Sequence, residues 1–126
     1  LMLTALQRGA SIVAQNSVQE GFGLTVTEGM WKRAPILGTH AAGLQEQIND
    51  GEHGRLLPTS DGPETIAQTI HEMLAAEEKR AEWARNARRR VSDRYLVFTQ
   101  VRRWIEVLAQ TVERTEGMSV DGQAAA

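Results

Sequence analysis

The sequence predicts an α/β fold in which three short parallel strands alternate with helices and a helical C-terminal half follows. Three short apolar, β-branched runs within the first 57 residues are separated by glycine-rich turns and by segments with helical spacing. Strands that alternate with short helices are typical of βαβ units, whose strands are parallel. After Pro58 this pattern ends and amphipathic helical spacing takes over. We therefore expect one parallel sheet near the N-terminus and helices beyond it.

The predicted strands cover residues 11–14, 36–38 and 55–57. Short apolar runs of this kind are buried on both faces of a parallel sheet. Helices are predicted before and between them, at residues 1–8, 24–32 and 42–48. The helix at 24–32 contains Thr25, Val26 and Thr27, whose β-branched side chains oppose a helical conformation. Local propensity and the alternating pattern therefore disagree at this helix.

Three further helices are predicted in the C-terminal half. The first begins near Pro63, a residue that suits the first turn of a helix, and its apolar face consists of Ile66, Ile70, Met73 and Leu74. The second covers residues 77–91 and the third residues 96–114. The apolar face of the third consists of Val97, Val101, Trp104, Ile105, Leu108 and Val112. Because the last residues are small and polar, we expect a folded domain over 1–116 and a disordered tail over 117–126.

Composition excludes several classes of protein. With 126 residues and 41% hydrophobic content, the chain can bury one core. A formal net charge of −2 provides no overall positive field for nucleic acid or an anionic membrane. The lack of cysteine removes disulfides and thiolate metal sites, and no apolar run approaches the ~20 residues of a membrane span. We expect a soluble cytoplasmic protein without nucleic-acid or membrane partners, and a fragment, since the chain begins inside a predicted helix.

A glycine-rich loop between the first strand and the next helix is the predicted phosphate site. A strand, a glycine-rich loop and a helix follow one another over residues 11–32, an order that presents backbone N–H groups and a positive helix end to an anion. Gly21 and Gly23 have no side chains, so a ligand can approach the main chain closely. We expect a diphosphate to rest near Gly23, Leu24 and Thr25.

Glu20 and Glu28 lie on either side of this turn, eight residues apart. The first is in the loop and the second is in the early turns of the helix, so both can face one cleft. Carboxylates accept strong hydrogen bonds from sugar and ribose hydroxyls. Spacing alone leaves a second interpretation open, in which Glu20 is an ordinary loop residue and Glu28 is a charge at the helix start that complements the dipole.

The segment EGFGLTVTEGMWKRAPILGTHAAGLQEQINDGEHGRLL at residues 20–57 resembles the glutamate-x7-glutamate region of glycosyltransferase family 4. That family consists of retaining enzymes with two Rossmann-like lobes, the GT-B architecture. The similarity is close over residues 5–57 and looser beyond. It implies that the chain is part of the C-terminal, donor-binding Rossmann-like lobe. The sequence LTVTEGMWK, at residues 24–32, is most similar to that of family members that join nucleotide-activated glucose to free glucose to give trehalose.

The resemblance also assigns roles to individual residues. Glu20 would be catalytic, in contact with the donor sugar beside the reacting centre, and Glu28 would hold the nucleotide ribose. Gly43 resembles a family glycine that lets the chain pass close to the cleft, while Ala42 stands where many members have a second glycine. No metal is implied. The donor-binding residues implied by the resemblance are Gly21, Phe22, Gly23, Leu24, Thr25, Glu28 and Gly43.

The resemblance further implies that parts of the enzyme lie outside this chain. The Arg and Lys that members use to neutralise the leaving diphosphate, and the whole acceptor lobe, would precede Leu1. The complete enzyme would bind a nucleotide-sugar donor and a sugar acceptor, whereas this chain alone would be inactive and would associate with itself or with the missing lobe. The alternative is a noncatalytic truncated module that only folds and binds a partner.

Other chemistry-bearing residues favour structural roles. His40, His53 and His71 are widely spaced and show no carboxylate pattern typical of a metal site. A basic cluster suggests a third, RNA-associated alternative, but acidic residues precede it on the same helix, so we predict a solvated helix face. The cluster consists of Arg85, Arg88, Arg89, Arg90 and Arg94. Trp83 and Trp104 are predicted to be core or lobe-packing residues.

Overall fold

The computed structural model describes residues 2–123, and their side chains as far as Arg114. The described residues divide into two compact units, within residues 1–92 and 93–126. The first unit contains the sheet, four helices and all but the last two residues of a fifth helix, and the second unit contains one long helix. The elements are α1 (Met2–Gly9), β1 (Val13–Gln15), α2 (Leu24–Trp31), β2 (Ile36–Thr39), α3 (Ala42–Gln47), β3 (Gly54–Leu57), α4 (Pro63–Ala75), α5 (Glu77–Arg94) and α6 (Val97–Gln123).

The three strands form one parallel sheet in the order β1-β2-β3, as the sequence predicts. Ile36 of β2 pairs with Val13 of β1 on one side and with Gly54 of β3 on the other, which defines the register of the sheet. Gly54 has a φ of +142°, and a Cβ there would lie 1.8 Å from the Ile36 carbonyl oxygen. Only glycine can begin β3 at this position. Because the strands are parallel, the segments that follow them meet at one edge of the sheet.

Helices cover both faces of the sheet, as a parallel sheet requires. On one face, α2 packs closely because a Cβ at Gly29 would already lie 3.2 Å from the side chains of Val13 and Ile36. On the other face, Leu37 and Leu57 form a cluster with side chains of α4 and α5, namely Met73 and Trp83. Successive residues of β2 therefore point to opposite layers, and both layers hold the sheet in place.

Most observed bounds differ from the predicted ones by one to three residues, and three elements show differences with a clear physical cause. β1 begins at Val13 rather than at residue 11, because residues 11 and 12 make no strand pairing. α2 forms in spite of its β-branched residues, because Val26 is fully buried and tertiary burial outweighs a weak local preference. α6 continues to Gln123, past the predicted end near residue 114, since no proline interrupts it. Helical backbone therefore covers residues 117–123 of the predicted tail, and 124–126 lie outside the described residues.

The two tryptophans predicted to pack have different environments. Trp83 is 4% exposed and its indole N–H donates to the Gly51 carbonyl at 2.6 Å, so it is a core residue. Trp104 is 64% exposed, so its placement in a core was wrong, and packing against another lobe stays a prediction. Within residues 2–123, no helix has the length and apolar character needed to cross a membrane.

Candidate functional site

The candidate site is the loop of residues 16–23, between the end of β1 and the start of α2. Gly23 precedes the helix with a left-handed φ of +87°, a conformation that favours glycine. Its carbonyl accepts from the N–H groups of Val26 at 3.0 Å and Thr27 at 3.3 Å. The first N–H groups of a helix have no intrahelical partner, and in α2 they belong to Leu24 and Thr25. Both residues are exposed, so a solvent-borne anion can reach this helix end.

The start of the loop is bound to the end of β2. The Thr39 hydroxyl accepts from the Ser17 N–H at 3.1 Å and donates to the Ser17 carbonyl at 2.5 Å. Thr39 is 5% exposed, so both hydrogen bonds of its hydroxyl are partly buried. The loop therefore leaves the sheet in a defined direction.

The end of the loop rests on α3, and Gly43 is the point of contact. The Gly43 N–H donates to the Glu20 carbonyl at 3.0 Å. A Cβ at Gly43 would lie 2.5 Å from the Gly21 carbonyl oxygen and 2.7 Å from the Phe22 nitrogen. These are backbone atoms that no rotamer change can move aside. The resemblance implies that Gly43 lets the chain pass close to the cleft, and the structure places the loop of residues 16–23 against it.

Gln47, one helical turn after Gly43, is a site residue that the sequence analysis did not identify. Its side chain is completely buried. Its amide N–H donates to the Phe22 carbonyl, and its amide oxygen accepts from the Thr27 hydroxyl at 2.5 Å. The only signal in the sequence was its spacing of four residues from Gly43, which places both on one face of α3. One buried amide thus joins the loop, α2 and α3.

Glu20 is half-buried in the loop. Its main-chain carbonyl is held by α3, whereas no hydrogen bond or ion pair within the described part of the chain engages its carboxylate. The carboxylate therefore retains its full capacity to accept hydrogen bonds from a ligand.

Glu28 lies in the second turn of α2, so it is not the charge at the helix start that one interpretation of the sequence suggested. Its side chain is exposed, and its Oε2 atom accepts from the Gln7 amide at 3.3 Å. The Lys32 ammonium lies 3.9 Å from the same oxygen and also donates to Gln7. Gln7 is 5% exposed. The two glutamates are thus attached to different elements, Glu20 to α3 and Glu28 to α1, and their sharing of one cleft stays a prediction.

The arginines of α5 correct a second expectation. The Arg88 guanidinium donates to the Trp31 carbonyl at 2.8 Å and lies 4.1 Å from the centroid of the Trp31 ring. Arg90 donates to the Glu46 carbonyl at 2.7 Å. A wholly solvated basic face was therefore the wrong prediction, because two of its members attach α5 to the ends of α2 and α3. Those two cations are engaged in the fold, which weakens the RNA-associated alternative.

The histidines differ in environment. His40 and His71 are exposed. His53 is 5% exposed, and its Nδ1 atom accepts from the Asn49 N–H at 3.0 Å. Burial, and then the positive charge of Arg90, lower the pKa of His53 to about 4. His53 is therefore a neutral residue that closes the turn before β3. Among the side chains described, no group of three or more His, Cys, Asp and Glu residues could hold a metal ion.

Comparisons with known proteins identify the family to which this chain is similar. The family model described as glycosyl transferases group 1 matches residues 2–90. The trehalose synthase of Thermococcus litoralis is 34% identical over 106 residues, which cover 84% of this chain and 25% of that protein. The D-inositol 3-phosphate glycosyltransferase of Corynebacterium urealyticum is 29% identical over 85 residues, or 68% of this chain and 20% of that protein.

Solved structures show the same fold. Sucrose-phosphate synthase from Thermosynechococcus elongatus superposes with a TM-score of 0.79 at 24% identity, over 90% of this chain and 28% of that one. Anabaena Alr3699/HepE in complex with UDP and glucose superposes with a TM-score of 0.77 at 27% identity, over 87% of this chain and 30% of that one. These neighbours are GT-B glycosyltransferases, so the three-stranded sheet with its helices is part of a Rossmann-like lobe.

This chain spans about a quarter of the length of the trehalose synthases that it matches. The family match nevertheless covers most of the chain, including the sheet, the glycine-rich loop and α3. By this match, the chain belongs to the glycosyl transferases group 1 family.

Proposed function

We propose that this chain is the donor-binding part of a retaining glycosyltransferase of family 4. The complete enzyme transfers glucose from a nucleotide diphosphate-glucose to an acceptor sugar, and the acceptor is free glucose, so that the product is trehalose. The observation that carries the proposal is the exposed N-terminus of α2, which directly follows a glycine-rich loop that is bound to both β2 and α3. The 34% identity to a trehalose synthase supports the choice of donor sugar and product.

The diphosphate of the donor binds at the start of α2. The N–H groups of Leu24 and Thr25 and the positive end of the helix dipole face the phosphate oxygens. The same groups stabilise the negative charge that develops on the leaving diphosphate. Gly21, where a Cβ would meet no atom within 4 Å, leaves room for the donor beside the main chain. Gly23 is buried and a Cβ there would lie 2.7 Å from the Leu44 side chain, so its role is to allow the left-handed turn into α2 and not to make space for the ligand.

The two glutamates act on different parts of the donor. The Glu20 carboxylate, which has no partner among the described residues, accepts hydrogen bonds from hydroxyls of the transferred sugar beside the reacting carbon. Glu28 accepts hydrogen bonds from the nucleotide ribose, and its contact with Gln7 sets the direction of its carboxylate. Charged acceptors form stronger hydrogen bonds than neutral ones, which suits both tasks.

Transfer requires groups that this chain does not supply. In the proposed enzyme, Arg and Lys side chains outside the chain neutralise the leaving diphosphate, no metal ion takes part, and a second lobe binds the acceptor sugar in the cytoplasm. The chain alone therefore binds donor weakly and transfers no glucose. Trehalose formed by the chain alone from ADP- or UDP-glucose and glucose would contradict this division of the site.

Titration followed by amide NMR tests the donor site. ADP-glucose and UDP-glucose are added separately to the chain, and to Gly9→Ala as a control, because a Cβ at Gly9 meets no atom within 4 Å. We expect saturable shifts at the amides of Gly23, Leu24 and Thr25 in both proteins. Absence of saturable shifts with either donor, or shifts confined to other elements, would overturn the proposed site.

The noncatalytic alternative is favoured by one observation. Among the α6 side chains that the structure describes, those as far as Arg114, eight large apolar ones are between 50% and 81% exposed: Val97, Phe98, Val101, Trp104, Ile105, Val107, Leu108 and Val112. An apolar surface of this kind is typical of a helix that binds a partner. A chain that self-associates through α6 but gives no amide shifts with either nucleotide sugar would support this alternative.

A further inference from the structure

We infer that Gln47 is a positioning residue for the donor sugar. It holds the loop of residues 20–22 in the position in which Glu20 and Gly21 contact the transferred sugar. The inference rests on the proposed function and adds to it a residue that touches neither substrate nor reacting atoms.

The first step is the burial of Gln47. A primary amide with no exposure to water must satisfy its donor and acceptor within the protein. Gln47 does so with two partners on different elements, the Phe22 carbonyl in the loop and the Thr27 hydroxyl on α2. Its position is therefore determined from both sides, and the loop carbonyl is held by an element that also packs against the sheet.

The second step is the shape of the contact. Gly43 supports the loop from below, since its N–H binds the Glu20 carbonyl and its Cα lies against Gly21. Gln47 grips the same loop one helical turn further on, at Phe22. Because the loop is attached to α3 at two points, both the position and the orientation of the peptide units of Glu20 and Gly21 are fixed.

The third step separates the sugar from the nucleotide. Gln47 contacts the loop, which carries the sugar-binding carboxylate, whereas Glu28 is held by Gln7 on α1. Removal of the Gln47 amide also ends its contact with the Thr27 hydroxyl on α2. Because α2 remains packed on the sheet at Gly29 and Glu28 keeps its contact with Gln7, the main effect is a displacement of the sugar-binding groups of the loop, while the ribose contact stays in place. The expected signature is a selective loss of the affinity for the sugar moiety, while the affinity for the nucleotide alone is retained.

The test compares a nucleotide diphosphate with its glucose conjugate. Dissociation constants for ADP, ADP-glucose, UDP and UDP-glucose are measured by NMR titration with the 126-residue chain and with Gln47→Met, which keeps the length of the side chain but has no amide. We expect the dissociation constant of the bound nucleotide sugar to rise about 3- to 10-fold, the range for loss of a hydrogen bond between uncharged groups. The constant for the matching diphosphate should change by less than about twofold.

Gln47→Glu provides a readout that a merely structural role would not produce. Its ionised carboxylate can accept from Thr27 but cannot donate to the Phe22 carbonyl, whereas the protonated acid can do both. Because burial favours the protonated form, the affinity for nucleotide sugar should return as the pH is lowered in Gln47→Glu and should not return in Gln47→Met. Circular dichroism at each pH checks that both variants remain folded.

Three results would overturn the inference. One is an equal loss of affinity for the diphosphate and for its glucose conjugate in folded Gln47→Met. Another is an unchanged affinity for both ligands. The third is a Gln47→Glu profile that follows that of Gln47→Met at every pH. If the wild-type chain binds neither the diphosphates nor the nucleotide sugars, it is the proposed function that fails, and this result is distinct from those three.

Discussion

Replacing Gly43 by alanine is the most direct perturbation of the loop. The added Cβ would lie 2.5 Å from the Gly21 carbonyl oxygen, 2.6 Å from the Gly21 carbonyl carbon and 2.7 Å from the Phe22 nitrogen. Since carbon and oxygen atoms at optimal contact are more than 3 Å apart, α3 and the loop must separate by at least about half an ångström. The hydrogen bond of 3.0 Å from the Gly43 N–H to the Glu20 carbonyl lengthens or breaks with that movement.

The magnitude of the effect follows from these contacts. Overpacking against backbone costs about 1–3 kcal/mol of unfolding free energy. A displacement of this size at sugar-binding groups lowers the affinity for nucleotide sugar or the rate of the complete enzyme by roughly 10- to 100-fold. The stability loss is thus moderate and the functional loss large, because the strain is concentrated in the loop.

Urea unfolding and NMR titration with ADP- and UDP-glucose measure the two effects. Gly9→Ala is the matched control, since its new Cβ contacts nothing within 4 Å, and it should leave both quantities unchanged. If Gly43→Ala has the stability and the nucleotide-sugar affinity of the wild-type chain, then the close approach of α3 to the loop does not govern donor binding, and the reasoning is refuted.

Three further predictions concern the glutamates, α6 and His53. In the complete enzyme, Glu28→Gln should weaken nucleotide binding by roughly 1–3 kcal/mol, whereas Glu20→Gln should lower turnover more than nucleotide affinity. Steady-state kinetics and nucleotide titration measure both effects. The same balance of effects in the two variants would contradict these roles. The exposed apolar face of α6 should make the chain a dimer or larger oligomer at micromolar concentration. Trp104→Lys should shift the chain toward monomer or unfold it. Light scattering that shows a stable wild-type monomer would exclude self-association through α6. The pKa of His53 is lowered to about 4 in the folded chain, so the unfolded chain takes up a proton first as the pH falls through 6.5. The contribution of His53 to the free energy of unfolding is therefore fully present above about pH 6.5 and declines toward pH 4. From pH 7 to pH 5 the loss should be about 2 kcal/mol by urea unfolding, His53→Gln should remove that component, and an identical pH dependence in both proteins would refute the assignment.

Local signals in the sequence were sufficient for the order and type of the elements. The three apolar runs became parallel strands, and Pro63 became the first residue of α4. Trp83, which the sequence predicts to pack, lies on the buried side of α5 together with Ala87 and Val91. These features depend on side-chain periodicity and backbone preference within a few residues, which a single sequence displays directly.

The exact extent of the elements was less accessible. α2 contains three β-branched residues in succession and still forms, because Val26 and Met30 are fully buried against the sheet. The third amphipathic pattern predicts a packed helix face, yet Trp104 is exposed. Periodicity shows that a helix has an apolar side, but it contains no information about what covers that side.

The sequence by itself determined the α/β order, the glycine-rich loop at the start of α2 and the resemblance to a glycosyltransferase family. Only the tertiary structure showed that Gln47 binds the Phe22 carbonyl, 25 residues away, and that Arg88 binds the Trp31 carbonyl, 57 residues away. Such contacts depend on strand register and on how helices lie on the sheet, and both are set by the packing of the whole unit rather than by neighbouring residues. A buried glutamine and an exposed one look the same in sequence, because burial is a property of the fold.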